Sequence, residues 1–313
     1  MTRVPPASAA KPDPLAGLRR LTPRDRLLLS WLAEHYLLST EQITTALFSS
    51  RRSAQQRLTI LHRIDAVSRF AHSPAHGGAH GGARGGTAQY LYTLGSLGVA
   101  LHPTAYTDPD NPAARAPRSH TERRLNIART PKLAHLLGTN QFVIDLHAHA
   151  RRDPRCRVER WWSEHHATAA YGLTGVCPDA HGIWRVGDTT TGWFLEYDNA
   201  TESLSRVITK LLAYERLAKD GPRYPVLLWV PTRQREKHLL DLLHGTATPM
   251  PVATATHCPN PAEAVWTLAG ADGPRLALHQ LPSDHGPHSA LNPARFHEPH
   301  DDDPPPENLS RCA

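Results

Sequence analysis

Apolar residues recur at helical spacing three times between Leu21 and Ile64. The first run, Leu27, Leu28, Trp31 and Leu32, follows Thr22-Pro23, an N-cap residue with proline at the first helical position. The second starts at Ser39, whose spacing to Gln42 is that of a capping box, and covers Ile43 to Leu47. The third is predicted to start near Ser53, again with glutamine three residues on, and to bury Ala54, Leu58, Leu61 and Ile64. Its other face shows Arg52, Gln55, Gln56, Thr59, His62 and Arg63. Two strand-like runs, 67–72 and 89–94, then flank PAHGGAHGGARGG, which reads as a hairpin with a long glycine-rich tip. His76 and His80 fall in that tip, where a flexible tract offers no preorganised metal geometry.

The pattern changes after a Pro/Ala/Asp-rich stretch, 101–118, which reads as a linker. Residues 131–151 have helical spacing through Leu133, Leu136, Leu137, Phe142, Val143 and Leu146. A strand is expected at 157–163, then a hairpin with arms 182–186 and 193–197 around a Gly/Asp/Thr turn at 187–192. A long helix over 202–219 carries Leu204, Val207, Ile208, Leu211 and Leu212 as its apolar stripe. PVLLWV at 225–230 is an unbroken apolar run of the kind covered on both faces of a sheet. A helix at 233–244, a strand at 252–256, a helix at 261–268 and a strand at 276–280 extend this α/β layer.

The hairpin carries the candidate chemistry. Asp179 follows Pro178 at the start of the first arm, and Glu196 and Asp198 lie two apart on the second. In a strand, residues two apart face the same side, and pairing of the arms brings Asp179 close to Glu196. Clustered carboxylates suit a hard divalent cation; an ordinary polar sheet edge carries them too. Lys210 stands on the following helix in one row with Arg206 and Tyr214 at four-residue spacing.

Charge sharpens the reading of the first half. Residues 1–152 hold 20 Lys and Arg against 9 Asp and Glu, a balance of +11, whereas 153–313 hold 15 against 20, a balance of −5. A basic half points to an anionic partner, most simply nucleic acid. Arg and Gln are also the side chains that pair with guanine and adenine edges in the major groove, and a polar-faced third helix is the helix-turn-helix order. A helical bundle that binds protein is the alternative.

The remaining signals exclude classes. There is no run of 18 apolar residues to span a membrane. The first 20 residues lack the apolar segment of a secretory signal and read as a disordered lead-in. Four scattered cysteines without a CxxC pair read as reduced, incidental thiols of a cytoplasmic protein, not a zinc site. His147 and His149 on a helix point apart, and with His165 and His166 they read as structural or surface residues. The tail from 283 to 313 is Pro/His/Asp-rich and reads as disordered.

Pro178-Asp179 followed by Glu196-x-Asp198, in this element order, resembles the PD-(D/E)xK nuclease superfamily. That resemblance implies Mg²⁺ held by Asp179 and Glu196 with help from Asp198, which stands in the place of the usual lysine, and Lys210 as either that lysine's relocated counterpart or a solvated helix lysine. HLLGTNQF at 135–142, PDA at 178–180 and FLEYDNATESLSRVITKLLAYERL from Phe194 resemble the replication-relaxation family over about residues 20–235. EYD-x-x-TES, from Glu196 to Ser203, is the most specific part. The expected architecture is α/β (α+β overall): a winged helix-turn-helix at 21–100, then a restriction-endonuclease-like αβββαβ domain at 119–282. The resemblance implies a protein of a plasmid or integrative element acting on double-stranded DNA in replication or relaxation, with plasmid replication or conjugation proteins as further partners. Its expected activity is metal-dependent nicking; the alternative is a DNA-binding regulator or replication accessory protein that has lost catalysis.

Overall fold

The first helix begins where its capping residues require. Thr22 accepts the Asp25 N–H through its hydroxyl at 3.3 Å, and the Asp25 carboxylate accepts the Thr22 N–H at 2.7 Å. This reciprocal pair satisfies two otherwise orphaned donors at the start of α1 (Pro23–His35). Ser39 and Gln42 repeat the device: β1 (Leu38–Ser39) runs directly into α2 (Thr40–Leu47). Helix α3 (Arg51–Arg63) starts earlier than its sequence suggested. Ser50, in extended conformation, accepts the Ser53 N–H at 3.2 Å, so Ser53 lies inside the first turn and its hydroxyl donates back to the Ser50 carbonyl. Strands β2 (Val67–His72) and β3 (Gln89–Leu94) follow, then α4 (Ser96–Leu101). The three strands form an antiparallel sheet in the order β1-β3-β2.

This computed structural model describes residues 17–72, 89–103, 132–171, 174–200, 203–245 and 250–286. The glycine-rich tip with His76 and His80, the lead-in to residue 16 and most of the expected linker lie outside them. So does the tail beyond Gly286.

The second half is built on a mixed six-stranded sheet. Helix α5 (Leu133–Ala150) leads to β4 (Cys156–Ser163), α6 (Glu164–Tyr171), β5 (Ala180–Val186) and β6 (Thr189–Tyr197). Then come α7 (Leu204–Asp220), β7 (Val226–Val230), α8 (Arg233–Leu243), β8 (Val252–Thr256) and β9 (Thr267–Leu268). Strands run in the order β4-β5-β6-β7-β8-β9; β6, β7 and β8 are parallel and the other neighbours antiparallel. On one face α5 packs Phe142, Val143 and Leu146 against Trp193, Leu195, Leu227 and Trp229. On the other, Val207, Leu211, Tyr214 and Leu217 of α7 and Leu239 of α8 cover Phe194, Val226, Leu228 and Val230. Buried on both sides, β7 has no polar position at all, as its sequence implied.

Four local expectations change. The hairpin turn is only Gly187-Asp188, because Val186 pairs with Thr189 and left-handed Gly187 (φ +56°) allows the tight reversal. Residues 261–266 do not form a helix. The Trp266 indole sits in the core beside Phe142 and Trp229, donating to the Pro261 carbonyl at 2.8 Å, and its backbone bridges to Leu276. Residues 278–280 form a 3₁₀ turn where a strand was expected. Leu212 is 53% exposed: the buried stripe of α7 runs through Val207, Leu211, Tyr214 and Ala218 instead.

The two halves share apolar packing. Ile144 of α5 belongs to the same buried cluster as Leu28, Leu32, Leu58 and Leu61, with Trp161 of β4 against it. His35 stacks on Trp161 with ring centroids 3.6 Å apart. Asn140 donates to the Leu37 carbonyl at 3.0 Å, Gln42 to the Leu137 carbonyl at 2.9 Å, and Arg151 to the Thr45 and Phe48 carbonyls. At the other end of the sheet Ser283 clamps β6, accepting the Gly192 N–H and donating to the Gly192 carbonyl. Among the described residues no helix is long and apolar enough to cross a membrane.

Candidate functional site

Strand register places the carboxylates. Ala180 pairs with Leu195, so Asp179, one residue before β5, stands opposite Glu196. The Asp179 N–H donates to the Leu195 carbonyl, and its carboxylate accepts the Tyr197 N–H at 2.7 Å. Both acids therefore lie at the carboxyl end of β6, where the parallel strands of an open α/β sheet present ligand sites.

Glu196 faces α7. Lys210 Nζ donates to its Oε2 at 2.9 Å and Tyr214 Oη donates to its Oε1 at 2.7 Å. The Arg206–Lys210–Tyr214 row read from the sequence thus delivers its last two members to one carboxylate. Burial raises the Glu196 carboxyl to about 7, and the neighbouring charge of Asp179 adds to the rise; Lys210 and Tyr214 only partly offset it. Burial and then Glu196 in turn raise the Tyr214 phenol well above its ordinary value.

Asp179 is approached from the opposite layer by His135 of α5, whose Nε2 lies 3.0 Å from Asp179 Oδ1. Burial acts to lower the His135 pKa, but the hydrogen bond and charge of Asp179 outweigh it and hold the ring above its usual value. Gly138, one turn further along α5, makes this approach possible. A Cβ there would lie 2.2 Å from the Tyr197 ring, so any larger residue would have to displace that ring from beneath the helix. His135 was hidden in the HLLGTNQF motif as part of a helix pattern; its meeting with Asp179 depends on how that helix packs.

Asp198 has another engagement. It follows the last residue of β6, forms an ion pair with Arg235 in the first turn of α8, and accepts the Ala200 N–H at 2.7 Å. The structure thus joins Asp179, Glu196 and Lys210 with His135 and Tyr214, and directs Asp198 to the loop before α7 and to α8. Beside them, His257 stacks on Tyr197 with centroids 4.7 Å apart.

In the first half, Arg52, Gln55, Gln56 and Arg63 are exposed along α3, with Arg51 beside them. Thr59 is half-buried and donates to the Gln55 carbonyl at 2.8 Å; His62 Nδ1 lies 3.1 Å from the Val67 carbonyl, so its ring turns toward β2. Arg57 faces inward and pairs with buried Asp25, supporting α3 on α1. On the adjoining hairpin Arg69 lies over the Tyr90 ring at 4.5 Å.

Comparison with curated proteins and with solved structures returned no match. A family model, replication-relaxation, matches residues 29–226, from within α1 to the start of β7, and so takes in both the α3 face and the Asp179–Glu196–Lys210 cluster. The chain belongs to the replication-relaxation family.

Proposed function

We propose that this protein binds duplex DNA of a plasmid or integrative element through its first half and nicks it with the carboxylate site of its second. The order α1-β1-α2-α3-β2-β3 with a three-stranded sheet supports reading the first half as a winged helix, with α3 as the recognition helix. The exposed Arg52, Gln55, Gln56 and Arg63 on a half of charge +11 support the choice of ligand.

The observation that carries the catalytic reading is Lys210 on Glu196, with Asp179 opposite on the neighbouring strand. The two carboxylates supply an all-oxygen donor set, and each has lone pairs beyond its present hydrogen bonds. These residues fit Mg²⁺, which when bound would activate a water and neutralise charge on a phosphoryl group. Asp179 and Glu196 would hold it, with the backbone carbonyl of Tyr197 as a further oxygen donor. Lys210 would stabilise charge developing on the scissile phosphate, and His135 would fix the orientation of Asp179. Asp198 would serve by anchoring α8 through Arg235.

Both oxygens of Glu196 are already bonded, which favours a second reading: a DNA-binding accessory protein on a nuclease-like fold without cleavage. Nicking of supercoiled plasmid in Mg²⁺ or Mn²⁺ separates the two. Relaxation by wild type and its loss in Asp179→Ala/Glu196→Ala, with the gel shift retained, supports the nickase. Cleavage surviving the double substitution removes its basis, and binding without cleavage by wild type leaves the accessory protein.

A further inference from the structure

A second cluster with metal-ligand chemistry lies away from the carboxylate site, at the corner where α5 turns into β4. His149, Asp153 and Cys156 each bring one donor atom to within 4.8 Å of the other two. The spacing explains the convergence. His149 and Asp153 are four apart across the end of a helix and share a face there, and the Asp153 N–H bonds the His149 carbonyl. The chain then closes a tight turn in which the Cys156 N–H donates to the Asp153 carbonyl at 2.9 Å. His147, two residues earlier, points the other way and contacts Trp31 and Trp161.

Two further observations separate this corner from a chance polar cluster. His149 Nδ1 is buried without a hydrogen-bond partner, whereas buried polar atoms are ordinarily paired. Cys156 is 6% exposed, in the apolar cluster that also holds Trp184 and Val158. Asp153 is held by Arg155, whose guanidinium takes Oδ1 and Oδ2, and the Cys156 thiol hydrogen-bonds the same carboxylate, so the sulfur and the carboxylate already meet.

We propose that His149, Asp153 and Cys156 form a zinc site that clips the end of α5 to the start of β4. Nitrogen, oxygen and sulfur donors together suit a borderline ion, not Mg²⁺, and three protein ligands leave one tetrahedral position for water. Binding breaks the Cys156 S–H bond, forms a Zn–S bond and releases the proton to solvent. All three ligands come from eight consecutive residues, so the ion would fix a local corner. That corner matters because the adjoining Arg151 reaches the Thr45 and Phe48 carbonyls and so ties α2 to α5.

Cobalt(II) titration of the full chain, followed by absorbance and by metal content after gel filtration, tests this. Wild type should develop a thiolate-to-cobalt charge-transfer band that zinc displaces. Cys156→Ser should lose the band, Cys177→Ser should keep it, and His149→Ala should weaken binding more than about tenfold. Zinc should also raise the thermal midpoint of wild type but not of His149→Ala. A folded wild-type protein that shows no thiolate band overturns the site whatever the variants do. So does a band that survives Cys156→Ser.

Discussion

Lys210 Nζ lies 2.9 Å from Glu196 Oε2, although the two residues are 14 positions apart and belong to a helix and a strand. Nothing at the position after Tyr197 could supply this cation, because Asp198 stands there. The helix that follows the strand supplies it instead. Under the proposed nickase reading, Lys210→Met should therefore abolish nicking while leaving the gel shift intact. Lys210 is 36% exposed, so solvent screens part of the ion pair, and the stability cost should be only about 1–2 kcal/mol by urea unfolding.

Tyr214→Phe removes one donor from a buried carboxylate. Hydrogen bonds to charged groups contribute about 1.5–3 kcal/mol, and a loss of that size is expected. Combining it with Glu196→Gln should cost less than the two separate effects together, because both act on one contact. Strict additivity would place the Tyr214 contribution in packing alone.

On α3, surface and support separate cleanly. Arg52→Ala or Gln56→Ala should weaken binding to a cognate duplex by about 1–3 kcal/mol per lost base contact. Stability should stay within about 0.5 kcal/mol. Arg57→Ala should do the reverse: it strands the 1% exposed Asp25 carboxylate and should cost about 3 kcal/mol of stability. Equal DNA affinity after both surface substitutions would put the recognition surface elsewhere.

Acid should loosen the contact between the halves. His35 is 2% exposed, and burial lowers its pKa to about 3 against the opposing pull of Glu34. An unfolded histidine protonates near 6.5, so between those values the unfolded chain binds the extra proton and stability falls as pH falls. Burial tends to raise the Glu34 carboxyl, but His166 and Ser163 set it down to about 2, so its contribution fades as pH drops below about 4.5. Asp145, raised to about 7 by burial, acts oppositely and gains on acidification from 7 toward 4. In urea unfolding at pH 7, 6 and 5, His35→Phe should gain on wild type at each step down. A constant difference would mean that His35 is not the titrating group.

The clamp on β6 predicts a sharp boundary in truncation. The thermal midpoint of a chain ended at Gly286 is the reference. Removing 283–313 should lower it, because Ser283 bonds Gly192 twice, Asp284 bridges Arg223, and His285 meets the Tyr224 hydroxyl at 2.7 Å. Equal midpoints would show that β6 and the start of β7 hold their places without them.

What the sequence made legible was set by short-range rules. Capping at Thr22 and Ser39, the buried run of β7 and the approach of Asp179 to Glu196 each depend on neighbours or on strand pairing across one tight turn. Ser50 escaped because two serines stand three apart, and either could cap; only backbone conformation distinguishes them. Trp266 drew a helix expectation at 261–268 from apolar content alone, whereas its indole is fixed by aromatic rings from α5 and β7. His135 and Arg235 were invisible for a related reason. Their partners are set by how helices pack and turn, which spacing along one chain does not encode.

The core shared by Ile144, Trp161 and the first three helices has a geometric consequence for how such a protein would read a target. A reading head on a loose tether cuts over a spread of positions, whereas a head fused to its blade behaves as a ruler. If α3 sets the register, the scission point should fall at one offset from the bound sequence. Inserting about 5 bp between them, half a helical turn, should rotate the phosphate out of reach, and about 10 bp should leave it on the correct face but too far away.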